Sequence, residues 1–149
     1  MRIKNFKASL LLFVLLNAVA ASSIAADWKF VTRRHNYKLF VDMESILAKA
    51  SDVRVWEKLV YSRPQNRQPY FPPNMTYNLE KKLYVYHCDK RTYHILEITT
   101  YNEQEGSSTI VSSFSFPEIP SLENNVLPDS ILSDVFDFAC HVKRIPAQR

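Results

Sequence analysis

Histidines, cysteines and carboxylates are the side chains of this chain that could bind a metal, and their spacing indicates whether they form a site. His87 and His141 flank the two cysteines, Asp89 lies close by, and His94 falls on the next predicted strand. Histidine and aspartate side chains can bind zinc, but neither an HxxxH nor a CxxC spacing occurs. Strand alternation also aims His87 and Cys88 at opposite faces of a sheet. The sequence therefore predicts scattered structural histidines, with no metal and no cofactor.

The residue types of the chain also limit which catalytic motifs it can contain. Serine, histidine and aspartate are all present, but Gly106 is the only glycine of the chain. A Gly-x-Ser-x-Gly elbow, a glycine-rich phosphate loop and a dinucleotide fingerprint all need more glycines than that. The carboxylates are scattered, and no pair is placed where an acid/base couple could be inferred. The sequence therefore predicts a protein that is not an enzyme.

The segment best suited to binding runs from residue 63 to residue 74. It displays Arg63, Arg67, Tyr70 and Phe71, and arginine and tyrosine are enriched where binding energy concentrates. Its four prolines are expected to exclude it from a strand ladder and to lower the entropy cost of an extended conformation. We expect this segment to form the partner-binding edge. The alternative is a passive connection in which Tyr70 and Phe71 pack down.

The chain begins with a predicted signal peptide, residues 1–26. Basic residues precede an apolar run at residues 8–20, and small residues then lead to a cleavage site after Ala25 or Ala26. An uncleaved anchor is the alternative, but the run is shorter than the ~20 residues that a spanning helix needs. We expect the exported domain, residues 27–149, not to span a membrane. No cysteine lies in the leader, so we expect no lipid attachment there.

Charge and cysteine usage follow from this expected export. The chain has 19 basic and 15 acidic residues, and removal of the leader leaves 16 against 15, a net charge of +1. That balance does not indicate a nucleic-acid partner. In an oxidising compartment Cys88 and Cys140 are expected to pair, with two buried free thiols as the alternative. They are 52 positions apart, and closing such a loop in the unfolded chain stabilises the fold by roughly 4 kcal/mol.

The elements that must position these residues are mainly strands. Alternating, β-branched and aromatic residues predict strands at residues 28–33, 37–42, 53–61, 79–89, 92–101 and 109–116. A helical turn capped by Asp42 is expected within residues 43–50. Apolar residues at helical spacing from Ile131 to Cys140, after the cap at Ser130, predict a terminal helix that covers one face of the sheet.

Four tyrosines fall on neighbouring predicted strands, namely Tyr84, Tyr86, Tyr93 and Tyr101. Aromatic side chains usually bury the body of the ring and keep a polar tip wet. We therefore expect some of them to pack beneath the terminal helix and the others to form cross-strand pairs. An exposed stacking face is the alternative.

The order of several short motifs resembles a known family. Trp28 lies at the start of the mature chain. There follow Tyr37 to Asp42 before Ser45-Ile46, then Val53-x-Val55-Trp56, His87-Cys88, Tyr93-His94-Ile95, Tyr101, Leu127-Pro128-Asp129-Ser130 and Ala139-Cys140. This pattern is similar to the surface-adhesin protein E-like family of Gram-negative bacteria. The resemblance implies an antiparallel sheet of about six strands with a C-terminal helix tied across it by the disulfide. It also implies a role in binding host extracellular-matrix or plasma proteins.

Together these features predict an α+β fold and an exported envelope protein that binds another protein, in the manner of an adhesin. The partner is expected to be a host matrix or plasma protein or an envelope component. A structural or assembly component of an envelope complex and a small inhibitor of a periplasmic hydrolase are the alternatives. The expected location is the periplasm or the medium, with the cell surface reachable through a partner.

Overall fold

The computed structural model describes residues 26–66, 75–104 and 107–142. Three of the predicted binding residues, Arg67, Tyr70 and Phe71, therefore lie outside the described residues, and so do the first 25 residues of the predicted leader. No helix within the described ranges is long and apolar enough to cross a membrane.

One antiparallel sheet forms most of the described fold. Its strands are β1 (Trp28–Arg33), β2 (Tyr37–Asp42), β3 (Leu47–Lys49), β4 (Asp52–Gln65), β5 (Tyr77–His87), β6 (Thr92–Gln104), β7 (Ser107–Ser115) and β8 (Asn124–Asn125). The neighbours run in the order β1-β2-β4-β5-β6-β7, with β3 paired to β4 and β8 paired to β6. The predicted count of about six strands is therefore too low. The strands β3 and β8 were missed because two or three residues are too few to show an alternating pattern.

The prediction that the prolines keep residues 63–74 out of the ladder is wrong for the start of that segment. β4 continues through Pro64, and Gln65 pairs with Tyr77 of β5. The register between these strands shifts between Val60 and Gln65. Proline has no backbone N–H to donate to a neighbouring strand. A strand therefore tolerates proline where the pairing is irregular, as it is here.

The helical turn predicted within residues 43–50 is present and occupies the first three of them. A 3-10 turn covers Met43–Ser45, and the Asp42 carboxylate accepts a hydrogen bond from the Glu44 backbone N–H at 3.2 Å, as the predicted cap requires. The strand β3 then follows and pairs with β4. Asp42 also accepts from the backbone N–H of Asp27 at 2.9 Å, so one carboxylate fixes the start of β1 and the end of β2.

The terminal helix α1 (Ile131–Val142) confirms the predicted amphipathic element. The Ser130 hydroxyl accepts a hydrogen bond from the Ser133 backbone N–H at 3.2 Å and so caps its first turn. The buried side chains of α1 pack on β4 and β5 in a core that includes Val53, Val55 and Tyr86. The Cys88–Cys140 disulfide, S–S 2.04 Å, joins the end of β5 to this helix.

The sheet has two faces with different surroundings. The face beneath α1, called the helix face, carries Val53 and Val55 opposite Tyr86 and Tyr84. The other face, called the outer face, carries Trp56 and Lys58 opposite Leu83 and Lys81, because successive strand residues point to opposite sides. The predicted core packing of the tyrosines is confirmed for those of the helix face: the Tyr84 ring stacks on Tyr86, and Tyr86 meets Phe136 of α1 edge to face.

Candidate binding surfaces

The described ends of the predicted binding segment lie together at one end of the sheet. The last ladder pair of β4 and β5 joins Gln65 to Tyr77, and the Asn66 side-chain amide donates to the Met75 carbonyl at 2.8 Å. The chain therefore leaves the described sheet at Asn66 and returns to the same point at Met75. We call this point, where Asn66 contacts Met75, the loop base. Arg63, the one predicted binding residue that the structure describes, is exposed beside it.

A shallow cleft opens next to the loop base. It encloses about 350 Å³ and is lined by Met75 and Thr76 together with the ends of β6 and β7, Ile110 included. The Asn78 side chain holds β5 to β6 near this cleft, because it donates to the Glu103 carbonyl and accepts from the Glu103 backbone N–H, each at 2.7 Å. These two hydrogen bonds hold β5 against β6 at the end of the sheet where the cleft lies.

The outer edge of β7 borders the same cleft. β7 ends the strand order, and its sequence SSTIVSSFS holds no charged residue, no proline and no glycine. Ile110 is 60% exposed and Phe114 is 48% exposed. An uncharged strand at the end of a sheet presents unpaired backbone N–H and C=O groups, which can accept an added strand from another chain. The alternation of residues in the sequence could not show that β7 has an unpaired edge, because that depends on which strand lies at the end of the sheet.

Two carboxylates are buried on the helix face of the sheet. Glu57 accepts a hydrogen bond from the Tyr86 hydroxyl, and burial raises the pKa of Glu57 to about 7, although the Tyr86 hydrogen bond and the charge of Lys82 oppose this. Glu80 accepts from the Tyr61 hydroxyl at 2.8 Å and pairs with Lys82 at 3.1 Å. A carboxyl group with a pKa near 7 suits a general base. However, Glu57 is 1% exposed and Glu80 is 0% exposed, so a substrate cannot reach either one without opening the core.

The family of the chain follows from comparison with known proteins. The family model of surface-adhesin protein E matches residues 28–141, a range that contains every strand of the described residues and both cysteines. The chain belongs to the surface-adhesin protein E family. The match confirms the family that the sequence motifs indicate. No curated protein sequence shows a significant match to the chain.

Solved structures of the family show the same fold. The chain is similar to Haemophilus influenzae protein E in crystal form II, with a TM-score of 0.52, 14% identity and coverage of 76% of this chain and 93% of that one. It is also similar to protein E from non-typeable Haemophilus influenzae, with a TM-score of 0.51, 15% identity and coverage of 75% of each chain. Likeness at this level of identity shows a shared fold.

His87 and His94, which are predicted on different strands, are in contact on the outer face. His87 Nδ1 lies 2.8 Å from Asp52 Oδ1, His87 Nε2 lies 3.0 Å from His94 Nδ1, and His94 Nε2 lies 2.7 Å from the Ile119 carbonyl. A carbonyl oxygen only accepts, so His94 donates through Nε2, and its Nδ1 accepts from His87 when His94 is neutral. The chain of contacts joins β4, β5 and β6 to the segment at residues 117–123. Among the described residues, no group of three or more histidines, cysteines and carboxylates could hold a metal ion.

Proposed function

We propose that this chain is an exported, non-catalytic envelope protein that binds another protein in the manner of an adhesin. One observation carries the proposal: the uncharged edge of β7, with Ile110 exposed, borders the cleft beside the loop base. Membership of the surface-adhesin protein E family supports the same role. The first partner to test is a host matrix or plasma protein.

The arrangement suggests how binding would work. An extended segment of the partner adds to β7 as a further strand, and its backbone hydrogen bonds supply affinity without specificity. One partner side chain enters the cleft between Thr76 and Ile110, which adds apolar contact. Arg63, with Arg67, Tyr70 and Phe71 from the segment outside the described residues, contacts the flanking part of the partner. Arginine and tyrosine are the residue types that most often dominate such contacts.

The test compares binding by the exported chain and two variants with equal changes of charge. Ile110→Lys places a cation on the β7 edge, where charge discourages strand addition. Leu127→Lys is the matched control, since Leu127 is 66% exposed and precedes α1, away from that edge. Purified matrix and plasma proteins are applied to each immobilised chain, with detergent-solubilised cell envelope in parallel.

The expected result is binding of a matrix or plasma protein that Ile110→Lys abolishes and Leu127→Lys preserves, with unchanged melting temperatures. Equal binding by both variants would remove β7 from the interface. Binding only to a defined envelope complex would favour an assembly role. Tight binding to a purified hydrolase alone would favour the inhibitor alternative.

A further inference from the structure

The outer face of the sheet carries four cationic side chains in one diagonal line, which we call the cationic stripe. Arg33 of β1 lies directly opposite Lys38 of β2, and Lys58 of β4 lies directly opposite Lys81 of β5. Phe40 is the partner of Lys58, so Lys38, two residues earlier, is a diagonal neighbour of Lys58. Directly opposite Cβ atoms are about 5 Å apart and diagonal ones about 7–8 Å apart. The stripe therefore crosses four neighbouring strands without a gap.

This arrangement is electrostatically unfavourable within the chain itself. Like charges directly opposite each other on adjacent strands destabilise a sheet, and here two such pairs follow one another. None of the four cations forms an ion pair with another of the described residues. Burial and the neighbouring charge of Lys81 lower the pKa of Lys58, against smaller opposing effects of Glu103 and Asp42. A bound anion would relieve the repulsion that the sheet leaves in place.

Aromatic rings lie along the same stripe. The Lys58 ammonium is 4.4 Å from the ring centroid of Trp28 and 5.1 Å from that of Phe40. The Lys81 ammonium is 5.0 Å from the ring centroid of Tyr101. Phe30, which meets Phe40 edge to face, is 51% exposed. Aromatic rings thus lie beside Lys58 and Lys81, and Phe30 adds an exposed ring to the same face.

We propose that the cationic stripe binds a linear anionic polysaccharide that carries sulfate or carboxylate groups. The four cations would pair with successive anionic groups of the polymer in charge-assisted hydrogen bonds. The negative faces of aromatic rings attract the C–H groups of sugar rings, so the exposed Phe30 ring offers a place for a sugar to stack. An acidic protein segment would use the cations but would leave the aromatic faces unmatched. The stripe lies on the outer face, whereas the proposed protein site lies at the β7 edge.

The probe for this site is heparin of defined length, with desulfated heparin and poly-glutamate alongside it. The test variant is Lys58→Gln with Lys81→Gln, and its matched control is Lys49→Gln with Lys90→Gln, which removes the same charge at exposed positions off the stripe. Arg33→Gln with Lys38→Gln is a second test variant, at two exposed positions of the stripe. Affinities are measured by titration in about 0.1 M salt and again at higher salt, which screens exposed charges.

We expect each test variant to bind heparin at least about tenfold more weakly than the control, since each loses two charge-assisted contacts. The melting temperature of the Lys58/Lys81 variant should change little, because the loss of a like-charge pair offsets the loss of the cation–π contacts. Equal heparin binding by test and control variants, or none by the unaltered chain, would overturn the proposal. Equally tight binding of poly-glutamate would also overturn it in favour of an acidic protein ligand. Ile110→Lys adds a cation directly opposite Tyr101 and should keep or strengthen heparin binding, while it removes binding at the β7 edge. Failure of this site and failure of the β7 site can therefore be told apart.

Discussion

The Tyr86 hydroxyl donates a hydrogen bond to the Glu57 carboxylate in the core, where Tyr86 is 0% and Glu57 1% exposed. Burial raises the pKa of Glu57 from 4.5 to about 7. Between these two values the unfolded chain has released the proton and the folded chain has kept it. Stability should therefore fall as the pH rises from 4.5 to 7 and then level off. The loss expected from this one group is about 3 kcal/mol.

The first prediction follows from that pair: Glu57→Gln should remove most of the fall in stability between pH 4.5 and pH 8. Glutamine has the same shape, does not ionise and still accepts from Tyr86. Urea unfolding at pH 4, 6 and 8 measures the difference. Glu44→Gln, at an exposed position, is the control and should keep the original slope. A Glu57→Gln chain with the original slope would show that another group dominates.

The second prediction concerns the disulfide. Joint replacement of Cys88 and Cys140 by alanine should lower the free energy of unfolding by about 4 kcal/mol, because the unfolded chain regains the freedom of a loop of 52 positions. Chemical reduction of the unaltered chain should have a similar effect on the melting temperature. A change below about 1 kcal/mol would mean that the core packing of α1 suffices to hold it.

The third prediction concerns the loop base and rests on the proposed function. Arg63→Ala combined with Arg67→Ala should weaken binding of the protein partner and leave the melting temperature unchanged, since Arg63 is exposed and supports no core contact. Arg54→Ala is the control, because Arg54 is an exposed arginine near the opposite end of the same strand. If the two chains bind equally well, the loop base does not contact the partner.

The fourth prediction concerns how Arg91 holds α1 from the β5–β6 connection. Its guanidinium pairs with Asp137 at 3.0 Å, donates to the Ser133 hydroxyl at 2.7 Å and lies 4.9 Å from the Phe136 ring centroid. Arg91→Ala should cost about 1–2 kcal/mol, because packing and a part-buried hydrogen bond are lost besides an exposed ion pair. Arg34→Ala, which loses only the exposed pair with Asp134, should cost less than about 1 kcal/mol. Thermal unfolding of both variants decides this, and equal costs would contradict it.

Much of the fold was predictable from local pattern. β1 and β2 have the predicted bounds, and the capped helix and the disulfide are confirmed. Glu57 is a charged residue type on the apolar helix face of β4, where Tyr86 on the neighbouring strand supplies its hydrogen-bond partner. No pattern within β4 contains that partner, since it comes from the pairing of β4 with β5.

The candidate surfaces were less predictable, for the same physical reason. Composition alone predicts Arg63 and its segment as a binding site, whereas the edge of β7 and the cationic stripe depend on strand order and register. Lys58 and Lys81 look like ordinary solvated residues until the ladder puts them opposite each other. His87 and His94 likewise meet only through the pairing of β5 with β6.

The Cys88–Cys140 bond also divides the chain into two parts with different responses to proteolysis. β6, β7 and β8 lie between the two cysteines, and α1 carries the second one. The segment from Cys88 to Cys140 is therefore a covalently closed ring. A protease that nicks the ring once opens it without releasing a fragment. The disulfide does not bridge a cut within residues 67–74. After such a cut, β1 to β4 are held to the rest of the domain only by noncovalent contacts. The β7 edge is thus retained after a single nick in the ring, whereas a nick before Cys88, at the loop base for example, lets the domain come apart.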